Sequence, residues 1–182
     1  VDIFGGLKDI EDGIIRCVGS ARDRFDEDAL RILRAIRFSA QLGFEIEEET
    51  LKGIKEKKDH LKNISAERIR VELNKLLLSN HPDKLLIAYE TGITSVILPE
   101  FDRMMVTEQF NHHHIYSVGI HTIKGIEAVG KTKDRIGAIS QLKELKYPKQ
   151  VHDIHSKDEM VLKWTLLLHD VEKPSCKFRG QD

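Results

Sequence analysis

Cysteine is scarce in this 182-residue sequence: Cys17 and Cys176 stand alone and far apart. A dense disulfide scaffold and a cysteine-built metal site are therefore excluded, and two reduced thiols suit a cytoplasmic location. Long apolar runs are lacking too. None approaches the ~20 residues of a membrane span, so no membrane partner is expected. Residues Val1 to Gly6 do not have the pattern of a secretory leader. Excess charge of either sign is also missing, with 29 Lys+Arg against 30 Asp+Glu. This balance excludes a solvating acidic tail and argues against wholesale electrostatic binding of nucleic acid, while leaving room for a local basic patch. An initiator Met is absent, and Lys177 to Asp182 follow a strong motif without a closing element. We expect a piece of a longer protein.

With 40% hydrophobic residues, the chain can build one domain or two small ones. Gly5, Gly6 and Gly13 punctuate the opening, and Ile14 to Val18 read as one strand, the last of a sheet. From Asp26 the pattern turns helical. Asp26 reads as a cap, with Glu27 and Asp28 in the first turn and Gly43 as the stop. Further helices are predicted over Glu47 to Lys58, from Ser65, from Pro82 to Gly92, over His114 to Gly130 and over Asp158 to Val171, with residues 131–157 irregular or weakly helical. The fold class is mainly α: a helical bundle with a short N-terminal strand, followed by a second helical segment.

The helix after Asp26 is unusual. At 100° per residue, Leu30, Ile32, Leu33, Ala35, Ile36 and Phe38 take up nearly every direction, and Arg31, Arg34 and Arg37 form a ridge inside this apolar girdle. Such arginines are costly unless an anion meets them. One reading is a stripe paired with Asp and Glu, Asp28 reaching Arg31 from three residues back. The other is a cleft in which guanidinium forks clamp phosphates, while Asp28 and Arg31 bond a base edge.

Residues 2–44 resemble the class II tRNA nucleotidyltransferases, or CCA-adding enzymes, and the related bacterial poly(A) polymerases. The resemblance is carried by Asp2-Ile3-Phe4-Gly5-Gly6-Leu7-Lys8-Asp9, Arg24-Phe25, Glu27-Asp28-Ala29-Leu30-Arg31, Leu33 to Phe38 and Leu42-Gly43-Phe44. It implies that Asp28 and Arg31 contact the base of an incoming CTP or ATP, with Arg34 and Arg37 completing the nucleotide site or bracing Asp28. Ala66-Glu67-Arg68-Ile69 with Glu72-Leu73 resembles the next motif of the family's neck, read mainly as support for the arginine helix. The resemblance also implies a catalytic head with a carboxylate pair holding Mg²⁺. Those carboxylates are expected upstream of Val1, since Asp2 and Asp9 do not make that pair, so this piece alone is expected to be inactive in nucleotidyl transfer.

A second cluster of chemistry lies downstream. His112, His113, His114 and His121 crowd one stretch, and His169-Asp170 close an apolar run. Imidazole plus carboxylate suits divalent first-row metals. The pattern resembles an HD domain, which implies His121, His169 and Asp170 as ligands of a divalent transition metal. Two departures stand out: Glu172 occupies a usual glycine position, and residues 131–157 lengthen the spacing. The fourth ligand, an Asp, is expected beyond Asp182.

The readings therefore are a tRNA 3′-end nucleotidyltransferase part, an HD-class metal-dependent phosphohydrolase on a helical scaffold, and a helical RNA-binding module. The first is preferred, because an HD hydrolase needs no Glu-Asp-x-x-Arg element. Its partners are CTP or ATP and a tRNA or RNA 3′ end. The expected domains are 1–20, a head remnant; 21–105, the nucleotide-selecting neck; and 106–182, a partial HD-like domain.

Overall fold

The computed structural model describes residues 2–109, 116–141 and 156–176, with side chains described for 2–109, 116–129 and 159–176. His112, His113 and His114 lie outside the described residues. The chain divides into two compact units, Val1–Asp102 and Arg103–Asp182. The first carries α1 (Gly6–Asp12), β1 (Ile14–Ile15), α2 (Ala21–Glu27), α3 (Leu30–Leu42), β2 (Glu45–Ile46), α4 (Glu48–Lys57), α5 (Ala66–Leu77), α6 (Leu85–Glu90) and α7 (Thr94–Ile97). Helix α8 (Pro99–Val106) follows, and then α9 (Val118–Gln141), α10 (Ser156–Leu168) and α11 (Lys173–Cys176). The architecture is mainly α.

Helix α3 is the axis of the first unit. Ile32 and Ile36 are fully buried, with Leu30, Leu33, Ala35 and Ala40 beside them. Each such aliphatic side chain contributes about 1.5–3 kcal/mol on leaving water. Helix α3 packs on α5, and α2 packs on α4. The second contact requires Gly53: a Cβ there would lie 2.8 Å from the Ala21 Cβ. Gly43 ends α3 at φ 71°, its N–H bonded to the Ser39 carbonyl, a left-handed stop that a side chain would strain.

Several expectations change. The opening segment holds a helix as well as a strand: the Asp2 carboxylate accepts from the Gly6 and Leu7 N–H groups at 2.9 Å each, starting α1. The strand is two residues long and has a partner further along the chain. Ile14 lies opposite Glu45 and Ile15 opposite Ile46, in parallel register. A run of two residues is too short to show alternation, so β2 left no sequence signal. The helix predicted from Asp26 is two helices. Asp28 is extended (φ −154°, ψ 104°), and its Oδ1 accepts the Leu30 N–H at 3.1 Å. A side chain that bonds the backbone two residues on competes with helix continuation and breaks the run at this point. Helix α9 starts at Val118 and runs through Gly130 to Gln141, where a stop had been expected. A glycine ends a helix when it turns left-handed, as Gly13, Gly43 and Gly92 do and Gly130 does not. Among the described residues, no helix is long and apolar enough to cross a membrane.

Candidate functional site

The α2–α3 joint gathers the acidic and basic residues singled out by the sequence, with pairings other than those expected. Glu27 is the hub. Its carboxylate takes the Arg31 Nη1 at 2.5 Å and the Arg24 Nη1 at 3.1 Å to both oxygens. These two guanidinium bonds, Arg31 first, hold the Glu27 carboxyl below its ordinary pKa. Arg31 Nη1 also donates to the Arg24 carbonyl at 3.0 Å. Among the described residues nothing else meets its Nε and Nη2 donors, so part of the fork stays available.

Asp28 does not pair with Arg31. Its Oδ2 accepts from Arg68 Nη2 of α5 at 2.9 Å, while Oδ1 holds the Leu30 N–H. Burial pushes this carboxyl up, but the Leu30 N–H and the Arg68 guanidinium outweigh it and the net pKa is lowered. An ionised carboxylate accepts at about four lone-pair positions, and two are used here. Arg68, forty residues away, was seen in the sequence only as support.

The three ridge arginines meet three environments. Arg31 is half-exposed on Glu27. Arg34 is exposed, 6.0 Å over the Phe38 ring, with no ion pair among the described residues. Arg37 is buried, 3.3 Å from Glu72 Oε2 of α5 and stacked over Phe38 at 4.0 Å. Arg31, Arg34, Phe38, Arg16, Cys17 and Thr50 line an open cleft of about 260 Å³. Neither Asp28 nor Arg37 belongs to that lining. Burial raises the Cys17 thiol pKa, against the opposing charges of Arg24 and Arg31. Asp2 and Asp9, the acidic residues nearest the start, have structural tasks: Asp2 caps α1, and Asp9 holds the Arg16 Nε at 3.1 Å.

In the second unit, His121 of α9 meets His169 and Asp170, which follow α10. One donor atom from each lies within 4.8 Å of the others, and the two rings are 6.3 Å apart. The Leu166 carbonyl sits 2.7 Å from His169 Nδ1, and a carbonyl only accepts, so Nδ1 carries the proton. His169 Nε2 faces Asp170 Oδ2, 3.1 Å away. Lys173 meets the same oxygen at 2.7 Å. Convergent acceptors with one imidazole tautomer fixed by a carbonyl are the chemistry of a divalent-metal site, and ligand bonds of about 2.0–2.2 Å need little further convergence. The turn after Asp170 forms with Glu172 at negative φ, so it does not demand a glycine.

Comparison with known proteins fits this arrangement. Residues 43–105 match the family model described as the probable RNA- and SrmB-binding site of polymerase A. The chain is 52% identical over 114 residues to the CCA-adding enzyme of Pediococcus pentosaceus, a match covering 62% of this chain and 29% of that protein. It is 45% identical over 105 residues to the CCA-adding enzyme of Lactiplantibacillus plantarum, covering 58% and 24%. Over part of its length, then, the chain is similar to CCA-adding enzymes. It spans about a quarter of the length of the curated relatives it matches. Among solved structures, a Bacillus stearothermophilus CCA-adding enzyme in complex with CTP matches the whole chain and 50% of its own, at TM-score 0.54 and 23% identity. A tRNA-processing enzyme in an apo form matches at TM-score 0.60 and 22% identity, covering 97% of this chain and 43% of its own. Both likenesses speak to the fold. Sequence reasoning missed Glu27 as the hub and Glu72 as the anchor of Arg37. Glu27 stands four residues before Arg31, a helical spacing that could have flagged it, whereas Glu72 lies on another helix and left no spacing signal.

Proposed function

We propose that this chain is the nucleotide-recognising neck of a tRNA 3′-end nucleotidyltransferase that adds C and/or A residues from CTP or ATP without a nucleic-acid template. The observation that carries the reading is the Glu27–Asp28–x–x–Arg31 element at the α2–α3 joint, with part of the Arg31 fork and all of Arg34 open on a cleft. Asp28, as an acceptor, suits the exocyclic amines of cytosine and adenine, and Arg31 donates to ring acceptors. Arg34 suits the sugar–phosphate side. Arg37, buried on Glu72, braces α3 rather than touching the nucleotide. Residues 1–20 are assigned to the edge of a catalytic head, 21–105 to the neck and 106–182 to a partial HD-like domain. The break after Asp102 supports the second boundary. The metal-assisted transfer, with Mg²⁺, is assigned to that head, and the partner is a tRNA or RNA 3′ end in the cytoplasm. In the longest natural chain that carries this sequence, Arg31→Ala should weaken both CTP and ATP binding. Unchanged affinity for both would overturn the assignment.

We also propose a divalent-metal site at His121, His169 and Asp170, whose donor atoms lie within 4.8 Å of one another. These residues fit a divalent transition metal, which when bound would polarise a phosphate ester. In this chain His169 is oriented by the Leu166 carbonyl, and Lys173 offsets the charge of Asp170.

A further inference from the structure

The turn after α10 brings a cation back onto the acceptors that precede it. The Lys173 N–H donates to the Asp170 carbonyl at 3.0 Å, and the Lys173 ammonium donates to Asp170 Oδ2 at 2.7 Å. The same oxygen stands 3.1 Å from His169 Nε2. The two charged partners differ in burial: the Asp170 side chain is 10% exposed and that of Lys173 is 46% exposed. A carboxylate so enclosed needs a cation. The ammonium, by contrast, ends a flexible four-carbon stem that reaches water. A second acceptor lies near it. Gln109 Oε1 is 3.4 Å from Lys173 Nζ, and Gln109 Nε2 is buried without a hydrogen-bond partner among the described residues.

We propose that Lys173 is a tethered competitor of a divalent cation at His121, His169 and Asp170: its ammonium holds Asp170 Oδ2 and yields that oxygen to the metal, moving toward Gln109. This rests on the reading of the three residues as metal ligands. Three points support it. The competition falls on one atom, since Oδ2 both faces His169 Nε2 and takes the ammonium. A divalent ion on that carboxylate would meet a full positive charge beside it, and at a half-exposed position water screens this repulsion only in part. The ammonium also has somewhere to go. It keeps solvent access, and the neutral Gln109 amide oxygen accepts from it without drawing it as a carboxylate does. The device keeps the buried Asp170 charge paired when metal is scarce. It also raises the threshold for loading, so that the cations binding imidazole and carboxylate most strongly are favoured.

The test is a calorimetric titration of the 182-residue chain with Mn²⁺. Lys173→Met should tighten binding about tenfold, the order expected for removing one charge beside a divalent ion in a partly screened site. Lys173→Arg keeps the charge and should bind Mn²⁺ no tighter than the native chain. Gln109→Leu removes the receiving acceptor and should weaken binding, and unchanged affinity there would strike Gln109 from the exchange. His169→Ala should abolish binding in the native and the Lys173→Met backgrounds alike. Tighter binding in Lys173→Met cannot arise from a failure to fold, so the expected result carries its own control. If His169→Ala abolishes binding but Lys173→Met binds no tighter than the native chain, the metal reading stands and the competition falls. If neither the native chain nor Lys173→Met shows Mn²⁺ binding that His169→Ala removes, the metal reading itself fails and takes this inference with it.

Discussion

The arginine element of the first unit and the histidine cluster of the second solve opposite charge problems. Around α3 the protein supplies its own counter-charges: Glu27 for Arg31, Arg68 for Asp28, Glu72 for Arg37. Around His169 the donor atoms of His121, His169 and Asp170 lie within 4.8 Å of one another, and the Lys173 ammonium meets Asp170 at 2.7 Å. The first arrangement is charge-balanced before any ligand arrives, and needs a ligand only for the donors left over. The second gathers imidazole and carboxylate groups of the kind that suit a divalent cation. Removing one residue should therefore destabilise the first region strongly and change the cation response of the second.

The largest effect is expected at Glu72. Glu72→Ala would leave the Arg37 guanidinium buried without its carboxylate and cost about 3–5 kcal/mol in urea unfolding. The double variant Arg37→Met/Glu72→Leu should recover most of that, because an apolar pair of similar size does not strand a charge. A cost below about 1 kcal/mol for Glu72→Ala would mean that the pair does not pin α3 to α5.

The second effect sharpens the other half of the comparison. At about a hundred times its dissociation constant, a metal that binds only the folded state adds about 2.7 kcal/mol. Mn²⁺ or Zn²⁺ should therefore raise the thermal midpoint of the second unit, and His169→Ala should remove the rise. A variant with alanine at His112, His113 and His114 should keep it. Loss of the rise in that triple variant, with retention in His169→Ala, would move the site to the histidine run.

How much of this was legible in the sequence follows from the range of each interaction. Helix α3 could be read, because Leu30, Leu33 and Ile36 recur at helical spacing and Gly43 ends them. The ridge of Arg31, Arg34 and Arg37 could be read for the same reason. Their different fates could not, because Glu72 and Arg68 come from α5, and packing rather than spacing chooses among nearby charges. The break at Asp28 is one hydrogen bond to Leu30 overriding an otherwise helical pattern. His121 and the His169–Asp170 pair are 48 positions apart, and only the resemblance brought them together before the structure did.

A smaller effect concerns the thiols. Cys17 lines the arginine cleft half-buried, with its thiol pKa raised by burial, whereas Cys176 is exposed. Only the thiolate alkylates. At neutral pH, iodoacetamide should label exposed Cys176 first and half-buried Cys17 more slowly, as mass spectrometry of the peptides would read. Equal rates would mean that the cleft opens freely.

The smallest effect is the acid dependence of Asp28. Its folded-state pKa lies below the ordinary 3.8, so its contribution is fully present above that ordinary value. It is lost as pH falls through the lower folded value, where protonation releases Arg68. Because the pair is open to solvent, the contribution should stay under about 1 kcal/mol. Unfolding midpoints of the native chain and Asp28→Asn, compared at neutral pH and below pH 3.8, should therefore converge in acid. A gap that widened there would require Asp28 to stabilise the fold in its protonated form, which would reverse its role as a fixed acceptor and make its environment resemble the acceptor-rich second site rather than the self-balanced first.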